Sequence, residues 1–309
     1  MLELNYKSNR SIFLLLGLIL FLANQFFPLS SNVQLAFFGI GVIFLGIPHG
    51  SLDHFIYHHE RNEAMSFKSI GRFLLFYLGF AILYAIIWII SVELSILVFI
   101  LISAYHFGEM DLMGLSIPSS LASRILFSLY GLLFLVNYLL FQFPQVEAIL
   151  IGFPGFDVSQ IEKLRSLYQY QMELMIVSIL IFIPTLSIYL YQNNLFGLVQ
   201  LEAILQLILL MVIVFNMPIL LGFGFYFNIW HAGLSMVEIK KFLGWQNKSY
   251  LFIYRKSWLT NCASFIMIAS LFMFFKGDLE RLLAIFFMSI AILTAPHMKV
   301  ISILFSKAD

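Results

Sequence analysis

The sequence has few charged residues, and this shortage excludes a water-soluble fold. Charged residues make up 11% of the 309 positions, whereas 61% are hydrophobic. Soluble domains are about one quarter charged, because a polar surface must cover their apolar core. Apolar runs of about 18 residues or more, the length that crosses a bilayer, recur along the whole chain. The protein is therefore predicted to be embedded in membrane lipid.

Cysteine and excess charge are also scarce. Cys262 is the one cysteine of the chain, so an internal disulfide and any zinc or iron–sulfur site built from several cysteines are excluded. The net charge is +1, which provides no general attraction to a polyanion. No nucleic-acid partner is predicted.

The apolar runs lack the alternation of polar and apolar residues that marks a transmembrane barrel. Runs such as 73–90 and 259–275 do not alternate. In lipid every backbone polar group must be paired within the protein, so the remaining option is helices. The predicted fold class is all-α: a polytopic transmembrane helical bundle of about 8–10 spans, in a single domain over residues 1–309.

Ten spans fit the hydropathy pattern. One break is expected at residues 216–218, because Pro218 cannot continue a hydrogen-bonded helix. A second, short link near Ser91 and Glu93 separates the third span from the fourth, and joining spans at such points would leave eight or nine. The predicted spans are 11–28, 33–57, 70–90, 92–108, 121–142, 173–191, 199–217, 218–239, 258–275 and 281–300.

The basic residues predict an orientation. With the N-terminus in the cytoplasm, 13 of the 17 Lys and Arg residues lie on the cytoplasmic side and 4 on the outer side, as the positive-inside rule requires. Both termini are then cytoplasmic, and the expected location is the cell (inner) membrane. The first apolar segment lacks a convincing small-residue cleavage site, so we interpret it as a span rather than a signal peptide.

The longest outer loop, about 143–172, has a helical pattern of its own. Asp157 or Ser159 can cap a short helix here, and Ile161, Leu164, Tyr168 and Met172 recur at helical spacing. This pattern predicts a short interfacial helix. Such a helix would either shield an opening on the lipid side or lie on the headgroups as a plain surface element.

Histidine is the most informative residue type here. His58 and His59 lie at a span end beside charged residues and are predicted to be solvated. The other five fall within or at the ends of apolar segments, where an ionisable group is costly and usually functional. In the predicted orientation His49, His106, His231 and His297 share the inner leaflet. The five are His49, His54, His106, His231 and His297.

Neutral imidazoles without cysteine suit iron, copper or zinc, and single histidines from separate helices can converge on one ion in a bundle. The alternative is that each imidazole only bonds to a neighbouring helix. Asp53 follows His49 by four residues, on one helix face, and it could accept the second ring proton of a ligating histidine. Glu109 and Asp111 could do the same for His106, or could be charged residues at a span end.

Four histidine segments occur in a characteristic order. They are residues 46–54 (GIPHGSLDH), 103–109 (SAYHFGE), 230–232 (WHA) and 295–298 (APHM). Together they resemble the bacteriorhodopsin-related (Brp/Blh-type) membrane β-carotene 15,15′-dioxygenases, over about residues 40 to 300. The resemblance implies a helical membrane enzyme that uses ferrous iron, Fe(2+), and O₂ to split β-carotene into two all-trans-retinal molecules. The retinal can supply a retinal-binding rhodopsin.

The resemblance also implies a ligand set, with one departure from the family pattern. A second histidine is expected four residues after His231, and Ser235 stands there instead. A hydroxyl is a poor iron ligand, so the fourth place must be filled from elsewhere or stay vacant. Asp53 and Glu109 are expected to hydrogen-bond to ligating histidines. The expected ligands are His49, His106, His231 and His297, with His54 as the other candidate for the fourth place.

Three functions are consistent with these residues. The first is iron-dependent cleavage of the central 15,15′ double bond of β-carotene, or of a related polyene, with O₂. The second is a non-enzymatic carotenoid- or retinal-binding membrane protein with a degenerate metal site, which Ser235 favours. The third is a metal or proton transporter lined by the same histidines. The missing inverted repeat and missing pair of broken helices count against a transporter.

Overall fold

The computed structural model describes residues 2–118, 120–275 and 277–306, without the side chains of 2–7, 158 and 304–306. Across these ranges the chain is helical and contains no strand, which confirms the all-α prediction. The predicted cytoplasmic termini, Met1 and Asp309, lie outside the described residues, as do Lys276 and Lys307. The helices are Leu2–Phe26, Ser31–Gly41, Val42–Gly46 (π), Ile47–Gly50, Asp53–Glu60, Phe67–Ile90, Val92–Leu112, Met113–Leu115 (3₁₀), Leu121–Phe141, Phe143–Ile151, Val158–Tyr168, Gln171–Gln192, Leu198–Phe215, Ile219–Gly224, Phe225–His231 (π), Ala232–Phe242, Tyr250–Lys256, Trp258–Phe274 and Leu279–Ser306.

Nine helical stretches of the described chain are long and apolar enough to cross a bilayer. A tenth candidate is the pair Tyr250–Lys256 and Trp258–Phe274, which is bent by 79°. The predicted range of 8–10 spans is confirmed. The nine are Ser8–Phe26, Ser31–Glu60, Phe67–Ile90, Val92–Leu115, Leu121–Phe141, Gln171–Gln192, Leu198–Phe215, Ile219–Phe242 and Leu279–Ile303.

Both predicted breaks are present. Helix Phe67–Ile90 ends at Ser91, whose backbone is extended. Helix Leu198–Phe215 ends before Pro218, and the next helix begins at Ile219. The carbonyls released at this second break are satisfied by Gln142, whose amide donates to the carbonyls of Phe215 and Met217, each at 3.0 Å. A helix end buried in lipid needs such partners.

The outer loop contains the predicted helix, Val158–Tyr168, and a further helix, Phe143–Ile151, that the sequence did not predict. Asp157 begins the first of these with a capping box: its carboxylate accepts from the Gln160 N–H at 3.1 Å. Bonds from the Ser159 hydroxyl and that N–H hold the pKa of Asp157 below its ordinary value. The position of this helix at the membrane interface stays a prediction.

The described chain groups into two compact units. The first unit contains Met1–Gly46, Ser103–Phe143 and Tyr170–Val237. The second contains Ile47–Ile102, Pro144–Gln169 and Glu238–Asp309. Each is built from three separate stretches of chain. That residues 1–309 form a single domain stays a prediction.

In the first unit, two glycines let the stretch that carries His106 lie against helix Leu121–Phe141. A Cβ added at Gly131 would lie 1.7 Å from the carbonyl oxygen of Ala104, and one at Gly108 would lie 1.9 Å from that of Phe127. Small residues allow such backbone contact between transmembrane helices. His106 lies between the two contact points and is fixed by them.

In the second unit, an aromatic core anchors the outer loop. The rings of Trp88 and Phe153 stack with centroids 5.3 Å apart. Ile161, from helix Val158–Tyr168, is buried in the same cluster together with Ala284. The loop helix is therefore packed into its unit through Ile161 and the partly buried Leu164.

Candidate metal centre

Two of the predicted ligand histidines lie at or just after π-helical turns. The π segment Val42–Gly46 ends three residues before His49, and a second, Phe225–His231, ends at His231 itself. A π turn rotates the following side chains relative to an α-helix and is frequent at functional sites. In the second segment, the Asn228 amide donates to the carbonyl of Phe38 at 3.2 Å, which ties this turn to the neighbouring helix.

The first unit brings His106 and His231 together. Their ring centroids are 4.8 Å apart and the rings are nearly perpendicular, at 76°. Both side chains are buried, with 2% and 1% exposed. The ring of Phe107 lies 4.8 Å from that of His231, and Phe227 stacks on the same imidazole at 6.1 Å. This pair therefore lies in a dry, aromatic environment.

A buried polar network lies directly beside this pair. The Asp111 carboxylate accepts from the Trp230 indole N–H at 2.7 Å and from the Tyr226 hydroxyl at 3.0 Å. The Arg10 guanidinium donates to the Asp111 backbone carbonyl at 2.9 Å and to the Gln206 side chain at 2.8 Å. It also lies 4.8 Å from the centre of the Trp230 ring. The network joins the segments that carry the two histidines.

The second unit brings His49 and His297 together. Their ring centroids are 4.9 Å apart, at an interplanar angle of 86°, and they are 4% and 8% exposed. The His297 Nδ1 donates to the Asp53 carboxylate, at 2.8 and 2.9 Å from its two oxygens. A Cβ added at Gly50 would lie in ordinary van der Waals contact with the His297 Nδ1, at 3.9 Å, so the backbone at Gly50 lies close to this ring.

Asp53 hydrogen-bonds to an expected ligand histidine, as predicted, and that histidine is His297, not the neighbouring His49. The prediction placed His49 and Asp53 on one helix face, four residues apart. The helix is interrupted instead: Ile47–Gly50 ends, and a new helix begins at Asp53 after a turn. The carboxylate thus reaches His297, on a distant part of the chain.

The two acidic residues after His106 also have partners that spacing did not predict. Glu109 accepts from the Tyr105 hydroxyl at 2.8 Å. The Asp111 carboxylate accepts from Trp230 and Tyr226. Both carboxylates are buried. These contacts correct the expectation that the two would accept the second ring proton of His106.

His58 and His59 behave differently from each other. His59 is exposed, as predicted. His58 is buried, with 2% exposed, so its predicted solvation is wrong. Its Nδ1 donates to the carbonyl of His54 at 2.6 Å, and the rings of Tyr57 and Phe73 lie beside it. Position at a helix end does not determine which face a side chain takes, and His58 faces inward.

The other candidate for the fourth ligand, His54, is half-buried. Its ring contacts are with Phe55, at 4.1 Å, and Phe73, at 6.2 Å. Ser235 is buried one turn after His231. Neither residue belongs to the histidine pairs His106–His231 and His49–His297.

One cavity of about 390 Å³ opens in the second unit, away from its histidine pair. Its walls combine aromatic and polar side chains and include none of the four expected ligands. They are Phe55, His58, His59, Asn62, Glu63, Met65, Leu243 and Trp245.

The histidine pairs fit ferrous iron in the kind of donor they offer, since neutral imidazole is a usual iron ligand. Bonds of about 2.1 Å from one ion would place the centres of two adjacent imidazoles about 4.5–5 Å apart, the spacing found in both pairs. An ordinary edge-to-face ring contact has the same spacing. Among the described residues, no group of three or more His, Cys, Asp or Glu is arranged to hold a metal ion.

Comparison with known proteins gives two matches. Residues 40–305 match the family described as beta-carotene 15,15′-dioxygenase, a stretch that includes all four histidine segments. A curated relative, beta-carotene 15,15′-dioxygenase from uncultured marine bacterium 66A03, is 24% identical over 274 residues, which cover 85% of this chain and 91% of the relative. No solved structure matches the chain.

Proposed function

The chain belongs to the β-carotene 15,15′-dioxygenase family, and we propose that it splits β-carotene with O₂ into two molecules of all-trans-retinal. One carbon–carbon double bond breaks and two carbonyl bonds form, so both oxygen atoms of O₂ enter the products and no other oxidant is needed. The observation that carries this proposal is that the family match includes both buried histidine pairs.

We propose further that ferrous iron is the cofactor and that His49, His106, His231 and His297 are its ligands. Bound iron would supply the activation of O₂ that a hydrocarbon alkene cannot provide for itself. The support is the burial of the four rings and their spacing within each pair. Asp53 holds the His297 ring by Nδ1, so this histidine would ligate through Nε2.

The location of the histidines within membrane spans suits this substrate. β-Carotene is a hydrocarbon that dissolves in lipid, so it can reach the protein without entering water. The buried, aromatic surroundings of His106 and His231 exclude water from that pair and favour contact with an apolar polyene. The product retinal would then be available to a retinal-binding rhodopsin in the same membrane.

A direct test is expression in cells that accumulate β-carotene, with retinal measured by chromatography. We expect the wild type to consume the pigment and form retinal. His106→Ala should abolish retinal formation, whereas His59→Ala, at an exposed histidine, should leave it unchanged. Retained pigment, no retinal and normal amounts of iron-loaded protein would count against the proposal.

Ser235 supports a second candidate, a carotenoid- or retinal-binding protein without catalysis. This candidate predicts that purified protein binds the pigment but contains far less than one iron per chain. Metal analysis of the purified protein distinguishes the two, because the dioxygenase needs iron near one per chain.

We place the protein in the inner membrane with both termini in the cytoplasm, on the support of the uneven basic residues. Single cysteines in a Cys262→Ser background test this. Lys163→Cys should react with a membrane-impermeant maleimide in intact cells, whereas Lys248→Cys should react only after permeabilisation. The opposite labelling pattern would reverse the orientation.

A further inference from the structure

The helix Leu2–Phe26 lies before the first residue of the family match, residue 40, yet it reaches the surroundings of His231. A Cβ added at Gly17 would lie 2.3 Å from the ring of Phe225, and one added at Gly233 would lie 2.9 Å from the ring of Phe13. Phe225 begins the π segment that ends at His231, and Gly233 lies two residues beyond it. The helix Leu2–Phe26 therefore closely contacts the chain both before His231, at Phe225, and after it, at Gly233.

Arg10 extends this contact into the polar network. Its side chain is 1% exposed, and an arginine buried within a membrane span is costly unless it is paired. The guanidinium bonds to Gln206 and to the Asp111 carbonyl, and it lies against the Trp230 ring. Its charge also interacts with the Asp111 carboxylate, itself 1% exposed. Removing one member of such a pair leaves the other uncompensated.

Asp111 connects this arginine to both histidines of the first unit. It lies on the helix of His106, five residues further along. Its carboxylate holds Trp230, the residue before His231, and Tyr226, at the start of the same π turn. The orientation of one histidine-bearing segment relative to the other therefore depends on Asp111.

We propose that Arg10 and Asp111 are positioning residues, which hold His106 and His231 in the relative orientation that metal binding requires. The N-terminal helix would thus be part of the support of the metal centre. This inference rests on the proposed function in one respect: it takes His106 and His231 as metal ligands.

The test is a titration of the purified full-length protein with Co²⁺, which reports ligand geometry through its visible absorption bands. Arg10→Met and Asp111→Asn should each weaken Co²⁺ binding by about tenfold or more, as loss of residues that orient ligands does, and should change the spectrum. Arg10→Lys should restore part of the affinity. Arg281→Met and Asp157→Asn, which remove the same groups from exposed positions, should stay within twofold of the wild type.

Thermal unfolding separates positioning from general folding. If Arg10→Met and Asp111→Asn do not fold, the Co²⁺ titration of Trp230→Phe tests the proposal instead. This variant loses the indole N–H bond to Asp111 and keeps an aromatic ring. A folded Trp230→Phe with the wild-type Co²⁺ affinity and spectrum would overturn the proposal, as would a wild type that binds no Co²⁺. If the variants shift Co²⁺ binding as expected but the wild type forms no retinal, the proposed function fails and this inference stands.

Discussion

His297 and Asp53 lie 244 positions apart in the sequence, and their side chains are hydrogen-bonded, with the ring Nδ1 2.8 Å from a carboxylate oxygen. Both groups are buried. A carboxylate that holds one imidazole nitrogen fixes the ring and leaves the other nitrogen as the donor for a metal. This relationship favours His297 over His54 as the fourth ligand.

Asp53→Asn should therefore weaken iron binding. The amide cannot provide the charge-assisted bond to Nδ1, so the His297 ring loses its fixed orientation, and we expect the affinity to fall by about 10- to 100-fold. Competition with a chelator measures the affinity for iron. Asp278→Asn, an exposed carboxylate paired with its neighbour Arg281, is the matched control and should bind iron as the wild type does. Equal affinities in the two variants would contradict this role.

His297→Ala and His54→Ala separate the two candidates for the fourth ligand. We expect His297→Ala to lose most bound iron and retinal formation, because His297 is paired with His49. His54→Ala should keep both, since its ring lies against Phe55 and Phe73. Iron analysis and retinal assays of both variants check this. The reverse pattern would move the fourth ligand to His54.

The span pattern could be predicted from sequence because it depends on local properties, hydropathy and proline. The break before Pro218 and the link at Ser91 are both present. The side-chain partners could not be predicted, because they depend on local irregularities. The turn between Gly50 and Asp53 interrupts the helix, so residues four apart across it need not share a face. The two π turns change which side chains lie on the same helix face, compared with a regular 3.6-residue period.

The candidate ligand residues could be proposed from their type, but their arrangement could not be predicted. An ionisable residue within an apolar run is a signal in itself, and it identified the histidines. The pairing of His106 with His231, and of His49 with His297, needs coordinates, since each pair joins distant parts of the chain. The charge pattern along the sequence does not distinguish Arg10 from the other basic residues on the predicted cytoplasmic side. Its position inside an apolar helix, Ser8–Phe26, is the signal that could have revealed it.

Gly131→Ala should destabilise the protein. The added methyl would lie 1.7 Å from the Ala104 carbonyl oxygen, so two helix backbones must move apart, at a cost of about 3 kcal/mol. Gly79→Ala is the matched control, because nothing lies within 4 Å of its added Cβ, and alanine is better than glycine in a helix by about 1 kcal/mol. Thermal unfolding in detergent measures both. A Gly131→Ala variant as stable as Gly79→Ala would show that the contact is absent.

Ser235→His tests whether the natural chain has a degenerate site. If His297 fills the fourth place, an added imidazole brings no gain in retinal formation. Ser235 is buried, so the larger ring should also cost stability, about 1–3 kcal/mol from overpacking. Retinal assays and thermal unfolding check both expectations. A large gain in activity over the wild type would favour the non-enzymatic interpretation of the natural protein.

The most direct test of the account is the product ratio from purified, iron-loaded protein given β-carotene and O₂. Cleavage at the central double bond predicts all-trans-retinal as the product, with two molecules formed for each β-carotene consumed. Folded, iron-loaded protein that leaves β-carotene intact, or that yields two products of unequal length, would contradict the account.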